Sequence, residues 1–223
     1  PLTYHYFRVT VADTFLYQTK GSIYSSSLDP IPDSVDVKSV TYDLEKMTVE
    51  WDKSNVGDFG SYKLLYSKSK DGEKDTVETF TDKSATSYST TTFDPLIENW
   101  YWVIVSDTLG QSNLGKGKRN SIDNPPTKPV LNNIYYENGS FIITWKQNND
   151  YDFLSYTLFE SESDNMNATT ELSTITINSD TSYNVNIGKD LIRYYQLVVE
   201  DKWGLRTESD IVVGDSHDWF AIT

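Results

Sequence analysis

Few side chains in this sequence have the chemistry to attack, shuttle a proton or bind a soft metal. The 223 residues include no cysteine and only two histidines, His5 and His217. That removes thiol catalysis, a disulfide scaffold and any Cys-ligated zinc or iron–sulfur centre. Two histidines near opposite ends of the chain are a poor basis for a Ser–His–Asp or Cys–His arrangement. No His-Glu-x-x-His, Gly-x-Ser-x-Gly or phosphate-cradling Gly-x-x-x-x-Gly-Lys-Ser/Thr motif occurs.

What remains is oxygen. Two carboxylates held about 5–9.5 Å apart across a cleft can hydrolyse glycosides. Asp150 with Asp152, or Asp71 with Asp75, are the pairs to consider, but both fall on expected loops with no obvious cleft, so no catalysis is expected. A hard cation is the other use of such residues. Asn148-Asn149-Asp150-Tyr151-Asp152 gathers several oxygen donors in one loop, which suits Ca²⁺, with Asn148, Asp150 and Asp152 as the ligand candidates. The loop lacks the full Asp-x-Asp-x-Asp-Gly-x₅-Glu spacing, and Asn and Asp favour turns for backbone reasons alone. The corresponding Asn55-Val56-Gly57-Asp58 is poorer in donors, so this site is not expected to repeat. No other cofactor is expected.

Charge narrows the partners. Against 33 acidic residues stand 19 basic ones, a formal net charge of −14. Nucleic-acid binding needs clustered Lys and Arg to displace counterions, and anionic membrane surfaces need the same sign. Neither is expected. The basic stretch Gly115-Lys116-Gly117-Lys118-Arg119 reads as the solvated end of a strand rather than an anion site. No run approaches the 18 apolar residues of a membrane span. The first residues carry neither an initiator Met nor a signal-peptide pattern and already read as a strand, so the chain is expected to be a piece of a longer one.

The elements that position these residues follow from an internal repeat. Tyr6 to Asp13, Trp100 to Asp107 and Tyr194 to Asp201 align, and their closing aspartates at 13, 107 and 201 keep a constant step of 94 residues. Trp51 and Trp145 keep the same step, as do Asp58-Phe59-Gly60-Ser61-Tyr62 and Asp152-Phe153-Leu154-Ser155-Tyr156, and Pro32 and Pro126. Two complete units and the tail of a third are present. Within a unit, apolar residues alternate with polar ones: Met47, Val49 and Trp51; Tyr62, Leu64 and Tyr66; Tyr101, Val103 and Val105. Period two with aromatic and β-branched enrichment predicts half-buried antiparallel strands. Asp71-Gly72 and Asn138-Gly139 predict tight hairpins. No window keeps a helical period, so each unit is expected to be a two-sheet sandwich.

This order resembles the fibronectin type III family: a Pro-marked entry, Trp51 or Trp145 on the second strand, Tyr62-x-Leu64 or Tyr156-x-Leu158 on the third, and an aromatic-rich sixth strand ending in Asp before a Gly-containing turn. The resemblance is to versions common in bacterial surface and secreted proteins. It implies an all-β chain of tandem immunoglobulin-like sandwiches, with residues 1–32 as the last two strands of a truncated domain, 33–125 and 126–214 as whole domains, and 215–223 as a tail or linker. Two departures stand out. Leu16 occupies the place of Gly110 and Gly204, and Glu160 replaces the inward apolar residue matched by Tyr66. There is no Arg-Gly-Asp, so the adhesive tripeptide of the family cannot be carried over.

The inward positions account for most of the aromatic residues, Trp145, Tyr156, Phe141 and Tyr195 among them in the second unit. The remainder is more informative. Leu65, Trp102 and Ile104 point to the opposite face of their sheet, and Phe159 and Val198 repeat this in the second unit. They form either a partner-binding apolar ridge or a surface covered by the stems of Lys63 and its neighbours. Trp203, in the turn between the last two strands, can stack on a sugar or a neighbour, or fold back over the sandwich end. A two-stranded hairpin is marginal alone, so residues 1–32 are expected to be poorly ordered, to dock on the following domain, or to pair with the hairpin of another copy, with ordering through contact with a second molecule or a neighbour favoured and self-association one route to it.

Two functional expectations follow. The first is a non-catalytic extracellular spacer or adhesion module with a protein or glycan partner at the cell surface. The Pro-containing junctions Asp29-Pro30-Ile31-Pro32 and Asp123-Asn124-Pro125-Pro126 would stiffen such an array into an elongated particle. The alternative is a carbohydrate-binding accessory module of a secreted polysaccharide-degrading enzyme, with Trp102, Trp203 or Tyr151 as stacking surfaces.

Overall fold

A computed structural model describes residues 3–217. They are all-β, with no helix among them, and the chain divides into two compact units between Ser121 and Ile122. The first unit opens with a hairpin of β1 (Thr3–Ala12) and β2 (Gln18–Leu28). A sandwich follows. One sheet has the order β3 (Val37–Tyr42), β4 (Met47–Trp51), β7 (Ser87–Thr90). The other sets β5 (Phe59–Ser67) between β6 (Asp75–Phe80) and β8 (Trp100–Asp107), and β9 (Ser112–Leu114) and β10 (Lys118–Arg119) both pair with β8. Every pairing is antiparallel.

The second unit repeats the plan. One sheet is β11 (Tyr135–Glu137), β12 (Ser140–Thr144), β15 (Ser182–Asn186). The other runs β14 (Thr169–Ile175), β13 (Phe153–Ser161), β16 (Ile192–Asp201), with β17 (Arg206–Glu208) and β18 (Val212–Asp215) on the far side of β16. A three-stranded sheet of first, second and fifth strands facing a sheet of third, fourth, sixth and seventh is the fibronectin type III order. The last strand runs to Asp215, one residue into the expected tail. Ser216 is buried, with its hydroxyl donating to Gly188 and accepting from the Leu191 amide. Trp219 and Phe220 of that tail lie outside the described residues.

Alternation is what closes each core. Met47, Val49, Trp51, Tyr62, Leu64, Val103 and Val105 are buried on the inner faces of the first sandwich, and Phe141, Ile143, Trp145, Tyr156, Leu158, Leu197 and Val199 in the second. The same edge-on contact recurs, Trp51 against Tyr62 at 6.0 Å between centroids and Trp145 against Tyr156 at 5.5 Å. Such pairs add roughly 0.5–1.5 kcal/mol beyond the area they bury. Glu160, the polar intruder among these positions, is accommodated by the Tyr195 hydroxyl, which donates to it at 2.7 Å, and by the Arg193 guanidinium at 3.8 Å.

The hairpin has no such cover. It is paired from Thr3–Leu28 to Ala12–Gln18 with one register shift between Arg8 and Thr10, yet both faces are exposed, with Tyr6, Phe7, Val9, Phe15, Ile23 and Tyr24 all more than half open to solvent. Its ties to the sandwich are short. The Gln111 side-chain Nε2 donates to the Asp29 carbonyl and carboxylate, and the Asn113 side-chain Nδ2 to the Pro32 carbonyl.

Candidate functional site

Each sandwich carries one recurrent polar construction, built around the aspartate that ends the sixth strand. In the first unit Asp107 Oδ1 accepts from the Leu109 and Gln111 amides at 2.9 and 2.8 Å. In the second, Asp201 Oδ1 accepts from the Trp203 and Leu205 amides at 2.8 and 2.9 Å. A short side chain that captures amides two and four residues on holds the turn closed. Gly110 and Gly204 supply its left-handed residue, each at φ 88°. Asp13 makes the same pair of bonds in the hairpin, to Phe15 and Tyr17, and there Leu16 is forced to φ 67°.

The loop after the second strand is drawn onto this turn. The Thr108 amide donates to the Asp58 carbonyl at 2.9 Å, and the Lys202 amide to the Asp152 carbonyl at 2.8 Å. From the other side, a core tyrosine reaches into the loop. The Tyr62 hydroxyl accepts from the Ser54 amide and donates to the Lys83 carbonyl, and Tyr156 does the same with Asn148 and Asn178.

Together these ties bring three carboxylates to one point in each unit. Asp29, Asp58 and Asp107 meet in the first, and Asp123, Asp152 and Asp201 in the second, with one oxygen from each lying within 4.8 Å of the others. The second set is the more enclosed. Asp152 and Asp201 are both buried, Asp201 completely, whereas Asp58 is exposed. Burial pushes the Asp152 carboxyl above its ordinary value. A bond from its own backbone amide opposes this, and the charges of Asp123, Asp201 and Asp150 reinforce it. An open cavity of about 480 Å³ lies alongside, lined by Asp123, Asn124, Tyr151 and Asp152 among others.

The structure divides the ligand set expected from the 148–152 loop. Asn148 and Asp150 bond to each other and clasp Thr127, whose amide and hydroxyl donate to the Asp150 carboxylate at 2.7 and 2.8 Å. Burial would raise Asp150, but the donors Asn148 and Thr127 outweigh it and hold the group below its ordinary value. Asp152 faces Asp123 and Asp201 instead. The set that does recur is a different one, Asp29–Asp58–Asp107 in the first unit and Asp123–Asp152–Asp201 in the second, whose donors come from three distant segments rather than one loop. Asp71 and Asp75, the other carboxylate pair, are exposed.

The apolar ridge is not an open surface in the first unit. Leu65 and Trp102 are buried, at 7 % and 6 % exposure. Trp100 stacks on Trp102 at 5.7 Å, and the Lys74 ammonium lies 4.4 Å from the Trp102 ring centroid. Gly117 closes against the same indole so tightly that a Cβ there would fall 2.3 Å from its Nε1. The cover is therefore Lys74 and Gly117 rather than Lys63, and Ile104 beside them is half-buried. In the second unit Phe159 and Val198 are half-buried and line a cavity of about 400 Å³ with Met166 and Ile211. Trp203 is half-buried in its turn, while Tyr151 is 62 % exposed.

No family model and no curated protein matches the chain. Among solved structures, it is similar to the FN1–FN3 domains of chicken CNTN1 (12% identity, 96% of this chain and 78% of that one, TM-score 0.39). It is also similar to a two-domain fibronectin type III segment of chicken tenascin (16%, 83% and 98%, 0.34). A third likeness is to the pectate lyase Pel3 of Pectobacterium carotovorum (9%, 44% and 29%, 0.36).

Proposed function

We propose that this chain is a non-catalytic tandem segment of a surface or secreted protein, serving as spacer and as a protein-interaction module. The observation that carries this reading is the repetition itself. Two sandwiches of the same strand order follow one another at a step of 94 residues, each closed by its own aromatic core. Duplicated sandwiches lengthen a chain and multiply faces for partners.

The partner face is the outer side of the second unit's larger sheet, where Phe159, Met166, Val198 and Ile211 give apolar ground to a depression whose other walls are the polar Asn165, Thr169, Gln196 and Glu208. An apolar anchor with a basic neighbour is the chemistry it would accept. Antibodies raised against this chain test the placement. Labelling of intact source cells, or recovery from their medium, is expected. Detection only after lysis would overturn the reading. Phe159→Lys is expected to abolish attachment of the exported protein to its surface partner while leaving export unchanged.

Glycan binding finds less support. Trp102 is buried beneath Trp100, Lys74 and Gly117, so of the three stacking candidates only Tyr151 presents most of its ring to solvent.

A further inference from the structure

We propose that Asp123, Asp152 and Asp201 form a calcium site, and that Asp29, Asp58 and Asp107 form a weaker second copy. This stands independently of the functional reading above. Three oxygens bound to one Ca²⁺ at 2.3–2.6 Å can be no more than about 5 Å apart, and the mutual separation here is within 4.8 Å. Proximity alone would be unremarkable among 33 acidic residues. The second observation is an orphaned oxygen. Asp201 is wholly buried, and its Oδ1 is taken by the turn amides, yet its Oδ2 accepts no hydrogen bond. Asp107, 5 % exposed, leaves its Oδ2 in the same condition. A buried carboxylate oxygen with no donor is costly unless a cation faces it.

The two buried carboxylates of the second cluster, Asp152 and Asp201, have no protein cation beside them in the described residues. An all-oxygen set of three carboxylates selects a hard ion. Calcium suits it better than magnesium, because donors on three separate segments tolerate the irregular geometry calcium accepts, with water or carbonyls completing the shell.

The two copies differ in a way that ranks them. In the first, the Gln111 side-chain Nε2 already donates to the Asp29 carboxylate at 2.9 Å, and Asp58 is exposed. In the second, Leu205 stands where Gln111 does, and two of the three carboxylates are buried. Calcium therefore fills the second unit first.

The test uses the whole chain, stripped with chelator, with Tb³⁺ as the luminescent probe and Ca²⁺ as competitor. Tyr151, lining the same cavity, and Trp203, on the turn, serve as sensitisers. Sensitised Tb³⁺ emission displaced by Ca²⁺ is expected, together with a rise in unfolding temperature of about 5 °C in millimolar Ca²⁺. Asp152→Asn removes a charge from a side chain that no turn depends on, and should weaken Ca²⁺ about tenfold or more. Asp58→Asn should leave the tighter site unchanged. Ca²⁺ that neither displaces Tb³⁺ nor raises the unfolding temperature would overturn the site. So would an unchanged affinity in Asp152→Asn. If only Asp58→Asn weakens the tighter site, the ranking of the two copies is overturned.

Discussion

The Tyr156 hydroxyl accepts the Asn148 amide at 2.7 Å and donates to the Asn178 carbonyl at 3.1 Å. One phenol thus fastens two loops to a core strand, and Tyr62 repeats the arrangement with Ser54 and Lys83. Tyr156→Phe keeps the ring packing and leaves a buried amide without an acceptor. The expected loss is about 1–3 kcal/mol of stability in that unit, read by chemical denaturation. A change under a few tenths would mean that water replaces the hydroxyl.

The turns closed by Asp13, Asp107 and Asp201 share one backbone shape but not one residue. Leu16 holds φ 67° where Gly110 and Gly204 hold 88°, and its side chain is 83 % exposed. A left-handed conformation costs a branched residue about 1–2 kcal/mol that glycine avoids. Leu16→Gly is therefore expected to slow amide exchange across β1 and β2, and Gly204→Ala to destabilise the second unit by about 1 kcal/mol. Faster exchange in Leu16→Gly would show that the leucine makes a contact worth more than the strain.

Gly117 lies against the Trp102 indole with no room for a methyl group. Gly117→Ala must displace either the backbone or the indole, and overpacking of this kind costs about 1–3 kcal/mol. Loss of near-ultraviolet ellipticity from the Trp100–Trp102 stack is the expected signature. An unchanged spectrum with unchanged stability would mean the strand edge slides freely.

Alkali should unfold both sandwiches through their tyrosines. Burial pushes Tyr101 far above the ordinary 10.0, helped by Tyr66 and Tyr88, and burial with the Glu160 acceptor does the same to Tyr195. Groups with raised folded values stabilise fully below the unfolded value, and that contribution is lost as pH climbs through the folded value. Stability is thus expected to fall above about pH 10, with phenolate absorbance appearing in two stages and the second coinciding with loss of β signal. A single early stage with structure intact would contradict this.

The strands follow from local pattern alone. Met47, Val49 and Trp51, or Tyr156 and Leu158, alternate and are buried as alternation demands. The repeat gave the register of every strand that bears on the site. What stayed hidden is what distant segments make together. In the sequence Asp123 reads as part of a Pro-containing junction, Asp152 as a donor within its own loop, and Asp201 as a repeat marker. The shared step of 94 residues in all three, and in Asp29, Asp58 and Asp107, was the available signal. Trp102 eluded the pattern for a similar reason. Its outward phase is correct, but Lys74 and Gly117, which cover it, lie far off in sequence.

Asp123 and Asp201 are 78 residues apart along the chain, and Asp152 lies between them on a third segment. Asp152 and Asp201 meet as β13 and β16 pair, so the set is complete only when Asp123 closes on them, and a contact of that span is expected to form late. Whatever happens at that meeting of charges is then invisible to the folding limb of a chevron and falls on the unfolding limb. Asp152→Asn without added metal should lower the unfolding rate while leaving the folding rate in place. The three carboxylates therefore govern how long an assembled unit lasts, not how fast it is made.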